Sequence, residues 1–126
     1  MGKPDNTGFM RAIRAARYSA QGFAHAWRYE SAFRQELTLT LIMIPGALWL
    51  GRNPVEIAAL IGCCLLVLVA ELLNSAVEAA VDRHGEEQHE LSGRAKDLGS
   101  AAVFVSLGLV ILVWVAVAAD RFLVGG

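Results

Sequence analysis

Glu71, Asn74, Glu78 and Asp82 recur at intervals of three and four residues in ELLNSAVEAAVDR, directly after the apolar run VEIAALIGCCLLVLVA. At about 100° per residue they fall within roughly 80° of one helix face, a single polar stripe on a membrane-like helix. About 10 Å of helix axis separates Glu71 from Glu78. Glu71 is therefore expected near the inner edge of the hydrocarbon and Glu78 at headgroup or water depth. Asn74 and Ser75 alone would read as interhelical glue. Two glutamates and an aspartate on one face need cations, and Arg34, Lys96 or a bound metal are the candidates. Carboxylates near water suit Mg²⁺, which takes one or two protein carboxylates and otherwise prefers water and phosphate oxygens. A carboxylate held deeper can accept a proton from a hydroxyl. Together they describe phosphoryl transfer to a lipid alcohol at the interface, although a proton-coupled exporter would also want an intramembrane glutamate.

Lys96 and Asp97, in HELSGRAKDLGSAAV, put a cation and a further carboxylate beside the stripe, with Gly93 allowing close backbone approach. Neither a GxxxxGK[ST] phosphate loop nor a kinase-type glycine loop is present, so a nucleotide bound here would use neither cradle. The spacings of His25, His84 and His89 fit no zinc motif. His25 is expected at the headgroups and His84 in solvent. Adjacent Cys63 and Cys64 diverge on a helix and are expected to be small apolar fillers.

The elements that must carry these groups are apolar. With 56% hydrophobic residues and a mean hydropathy of +0.48 over 126 residues, the chain reads as a small all-α integral membrane protein. Its net charge of -1 hides a segregation, because charges gather outside three apolar stretches. The N-terminus lacks the apolar core of a signal peptide, so insertion is expected to rely on the spans. Repeats and long linkers are absent, and one membrane domain, 1–126, is expected. Phe9, Ile13, Ala16, Ala20, Phe23 and Trp27 alternate with arginines, which predicts an amphipathic surface helix over about 7–29 lying in the headgroup plane. Spans are expected at 32–50, 55–81 and 98–119, with a cytoplasmic loop at 82–97. Lys3, Arg11, Arg14, Arg17, Arg28, Arg34, Arg83, Arg94 and Lys96 lie on one side of that arrangement, and only Arg52 and Arg121 on the other. The N-terminus and second loop are therefore expected in the cytoplasm.

ESAFRQE (30–36), ELLNSAVEAAVDR (71–83) and HELSGRAKDLGSAAV (89–103) resemble the small bacterial diacylglycerol kinases, and the resemblance covers nearly the whole chain. It implies a homotrimer of three-helix protomers in the inner membrane, each with a surface helix, transferring the γ-phosphate of MgATP to diacylglycerol to give phosphatidic acid. By the same resemblance Glu71 is the catalytic base and Asn74 helps hold base and acceptor; in the mechanism expected from these roles Lys96 neutralises charge on the transferring phosphoryl group. Glu30 and Glu78 are the metal ligands. The nucleotide contacts are Arg11, Tyr18, Glu30, Glu78, Glu87, Gln88, His89, Lys96 and Asp97. The lipid contacts are Arg11, Ser31, Ala32, Phe33, Arg34, Gln35, Glu36 and Glu71. Gln88 departs from the family, which is expected to carry an aromatic residue there, and the tail ending FLVGG is longer. An undecaprenol kinase of similar topology, a small proton-coupled multidrug transporter and a membrane anchor are the alternatives. No nucleic-acid partner is expected.

Overall fold

The computed structural model describes residues 7–83 and 90–124, and the sequence resolves there into four helices: α1 (Gly8–Tyr29), α2 (Ser31–Leu50), α3 (Pro54–Asp82) and α4 (Glu90–Ala119). A π-helical turn, Asp120–Val124, closes the described chain. Glu87, Gln88, His89 and His84 lie outside the described residues.

One extended residue, Glu30 (φ −114°, ψ 102°), separates α1 from α2. A helix ending so abruptly leaves carbonyls without intrahelical donors. Arg34, one turn into α2, supplies two of those donors, bonding Trp27 O at 2.8 Å and Arg28 O at 3.2 Å. Phe33 turns inward at the same corner and lies 6.4 Å from the Phe23 ring. The α2–α3 connection is a tight turn at residues 51–53. Asn53 caps α3 by accepting from the Glu56 N–H at 2.9 Å, and Pro54 occupies the first helical turn, where its missing N–H costs nothing.

α3 packs against both α2 and α4. The core is small: Ala47, Leu50 and Leu60, with Ile61, Val113, Trp114, Val117 and Ala118 against them. Trp114 closes it by donating its indole N–H to Leu60 O at 3.2 Å, its ring lying beside Gly46. The same end is tied by charge. Arg52 bonds Glu56 at 3.0 Å and also Asp120, while Arg121 donates to the Trp49 and Leu50 carbonyls and lies over the Trp49 ring. The Glu56 and Asp120 carboxylates hold the Arg52 guanidinium above its ordinary pKa.

α3 and the helix running from Glu90 through the terminal turn are long and apolar enough to cross a bilayer. Much of their apolar surface faces outward, including Phe104, Val105, Ile111 and Leu112 on α4. A soluble chain of this size would bury such residues. This is an all-α protein built for a membrane. α4 begins at Glu90, so Lys96 and Asp97 ride on helical turns rather than on a loop reaching to 97. The helix-compatible run ELSGRAKD simply continues the apolar helix outward.

Candidate active site

The polar face of α3 is built from the backbone upward. Glu30 is extended between the two helices, its N–H donating to Ala26 O at 2.9 Å and its carbonyl accepting from the Arg34 N–H at 3.2 Å, and its side chain reaches α3, where Oε1 accepts a hydrogen bond from Ser75 Oγ at 3.1 Å. Ser75 and Glu78 are neighbours three residues apart on α3, so the Glu30 carboxylate stands about one turn from that of Glu78. Glu71, one turn the other way, is only 7% exposed. The negative charges of Glu36, Glu78 and Glu30 all act on it.

Among the described residues, none of these four carboxylates has an ion-pair partner. Of the cations expected to serve the stripe, Arg34 is committed to the exposed carbonyls of α1. Lys96 is paired at its outer end, with Nζ 2.7 Å from Asp82 Oδ1. The inner carboxylates therefore form a concentration of negative charge with room for an external cation. No group of three or more metal-ligating side chains occurs among the described residues. Such a set is what a cation with a closed protein cage would require, whereas a pair of carboxylates is the usual protein share of a site completed by phosphate and water.

Two recesses flank α3. A cleft of about 500 Å³ between α1 and α3 has Glu30 and Ser75 on its wall, with Phe23, Tyr29, Leu72 and Ala76 as apolar lining. On the other side, Asn74 lines an apolar groove of about 820 Å³ between α3 and α4, with its Oδ1 buried and without a hydrogen-bond partner. Arg11 and Tyr18 sit together in a shallow recess of about 290 Å³ on α1. About 28 Å of helix axis separates Arg11 from Glu30, and about 18 Å separates Tyr18 from it, so neither joins the Glu30–Ser75 contact. Ser31, Ala32 and Gln35 are exposed on α2, Asp97 is exposed on α4, and Phe33 is buried.

Glu36, which the resemblance gives only as a lipid contact, also stands close enough for its charge to act on Glu71. A signal was present. Phe33, Thr40, Ala47 and Leu50, the buried positions of α2, share one face, and Glu36 falls on that face at helical spacing. Thr40 also donates to Glu36 O at 2.8 Å.

The sequence that carries this buried carboxylate is similar to that of known proteins. Residues 17–118 fit the family model for prokaryotic diacylglycerol kinase. The diacylglycerol kinase of Haemophilus influenzae is 52% identical over 108 residues, covering 86% of this chain and 92% of that protein. The diacylglycerol kinase of Escherichia coli K12 is 48% identical over 110 residues, with coverages of 87% and 90%. That of Pseudomonas aeruginosa is 48% identical over 111 residues, with coverages of 88% and 90%. Over a match that takes in all of α2 and α3, the Glu30–Ser75 contact, the Glu71 cluster and the Lys96–Asp82 pair included, the chain belongs to the prokaryotic diacylglycerol kinase family.

Proposed function

We propose that the chain transfers the γ-phosphate of ATP to the free hydroxyl of diacylglycerol, giving phosphatidic acid and ADP, with Glu71 as the general base. The observation that carries this reading is the burial of Glu71 near Glu30, Glu36 and Glu78 with no cation paired to them among the described residues. The Glu71 carboxylate takes the proton of the lipid hydroxyl as its oxygen bonds to the γ-phosphorus. The bond from that phosphorus to the β,γ-bridging oxygen breaks, and ADP carries the electron pair away. Glu30 and Glu78 hold Mg²⁺, which when bound supplies positive charge to the nucleotide phosphates. Ser75 fixes Glu30 from the side, and Asn74 helps hold base and acceptor. Lys96, steadied by Asp82, neutralises charge on the transferring group. Arg11, Tyr18, Asp97 and residues 87–89 contact the nucleotide, and the start of α2 from Ser31 to Glu36 meets the lipid at the membrane edge.

The architecture that serves this chemistry has α1 lying in the headgroups of the bacterial inner membrane and α2, α3 and α4 crossing it. The N-terminus and the α3–α4 connection face the cytoplasm. α2 is the shortest of the three, and Arg34, Gln35 and Glu36 form its cytoplasmic turns. The outward apolar faces of α3 and α4 support a homotrimer in which neighbouring protomers cover what one protomer leaves open. The test is transfer of labelled γ-phosphate in mixed micelles, with diacylglycerol and undecaprenol offered in parallel. Phosphatidic acid is the expected product. Labelled undecaprenyl phosphate alone would move the chain to a polyprenol acceptor.

A further inference from the structure

Asn74 Oδ1 is buried without a hydrogen-bond partner, and among the described residues it is the one side-chain atom in that condition. It lies directly against Gly99 of α4. A Cβ at Gly99 would overlap Oδ1 and come within 3.2 Å of the Asn74 Cγ. The other glycines of α4, Gly93 and Gly108, have open space at the same position. A glycine is a poor choice inside a helix, and an unpaired amide oxygen is a poor choice inside a protein. At this point of the α3–α4 seam the two are placed one against the other, so each accounts for the other only if the location of the carboxamide matters.

We propose that Gly99 is a positioning residue for phosphoryl transfer: the slot left by its missing Cβ seats the carboxamide of Asn74, one helical turn from Glu71. The proposal rests on the kinase reading above. The slot also joins two parts of the site, because Gly99 lies on the same helix three residues beyond Lys96, while Asn74 shares the α3 stripe with Glu71 and Glu78. An alanine Cβ at 99 evicts the carboxamide from the seam, and so from the place in which it helps hold base and acceptor, without touching Glu30 or Glu78.

The experiment compares wild type, Gly99→Ala, Asn74→Ala, the double variant and Gly108→Ala in the full-length protein in micelles. Two readouts are used: steady-state transfer from MgATP to diacylglycerol, and the NMR resonances of the Asn74 side-chain amide. Gly99→Ala is expected to lower kcat about tenfold to a hundredfold, with the KM for MgATP little changed and the amide resonances displaced. Gly108→Ala should leave both readouts as in wild type. The double variant should be no slower than Asn74→Ala, because the collision needs both side chains. Unchanged kcat or unmoved resonances in Gly99→Ala would overturn the proposal, as would losses that multiply in the double variant. If Gly99→Ala fails to fold, a folded double variant supports the slot and an unfolded one overturns it. Wild type that phosphorylates no lipid alcohol would defeat the kinase reading instead, and the resonances would then decide the slot by themselves.

Discussion

Glu71 and Glu78 occupy the same stripe two turns apart, yet their surroundings assign them different work. Glu71 is buried and Glu78 is part-exposed, one turn beyond the Glu30–Ser75 contact. On the proposed mechanism Glu78→Gln leaves the base in place and weakens the hold on metal and nucleotide. The Mg²⁺ concentration for half-maximal rate should rise about tenfold or more, measured by titrating Mg²⁺ at saturating lipid. An unchanged Mg²⁺ requirement would remove Glu78 from the metal site. The stripe itself was legible in the sequence because helical periodicity alone aligns Glu71, Asn74 and Glu78. Glu30 was not legible by that route. It lies between two helices, where no single period relates it to α3, and its contact with Ser75 spans 45 residues. Arg34 was legible as a cation but not as a cap, since the need it meets arises only where α1 stops.

At the scale of elements, the helices are held at one end by packing and charge and at the other by the polar site. Leu60 is fully buried where α2, α3 and α4 meet. In a membrane the transfer share of a core side chain is small, because lipid tails are as apolar as leucine, while the packing share remains. Leu60→Ala should therefore cost about 2 kcal/mol, the low end of the usual range for such truncations, read from denaturation in micelles. The clamp of Arg52 with Glu56 and Asp120 should behave differently. Asp120→Asn is expected to lower the unfolding temperature slightly, less so in high salt, with kcat intact. Arg52 keeps its proton in the folded state to a higher pH than in the unfolded chain. Its contribution is therefore complete below its unfolded pKa and fades only as pH rises through the folded value. The deficit of Asp120→Asn should thus be equal at about pH 6 and about pH 9, both above the carboxylate range and below the guanidinium range. A deficit that changes between them would show that another group governs this end. Helix existence was legible from hydropathy, and the turn at 51–53 from Gly51, Asn53 and Pro54. That the chain is already helical at Glu90 was not, because charged residues there look like loop although they favour helix.

For the whole molecule, the exposed apolar belts of α3 and α4 and the segregated arginines make the topology testable. In a chain with Cys63 and Cys64 replaced by alanine, a single cysteine at Arg83 should react with an impermeant thiol reagent only from the cytoplasmic side, and one at Arg52 only from the opposite side. Equal labelling of both from one side would contradict a crossing by α3. The membrane character of the chain was plain from its composition, because apolar runs of this length have no other solvent. Assembly was not, since a protomer's outward apolar face looks the same whether lipid or a second copy covers it. The central claim concerns Glu71 and is tested most directly by one comparison: wild type and Glu71→Gln assayed for transfer from labelled MgATP to diacylglycerol, with MgATP binding measured on the same samples. The account predicts a loss of turnover of about 10²- to 10⁴-fold with binding largely kept. Turnover retained in Glu71→Gln would contradict it and send the search for the base to another carboxylate of the cluster.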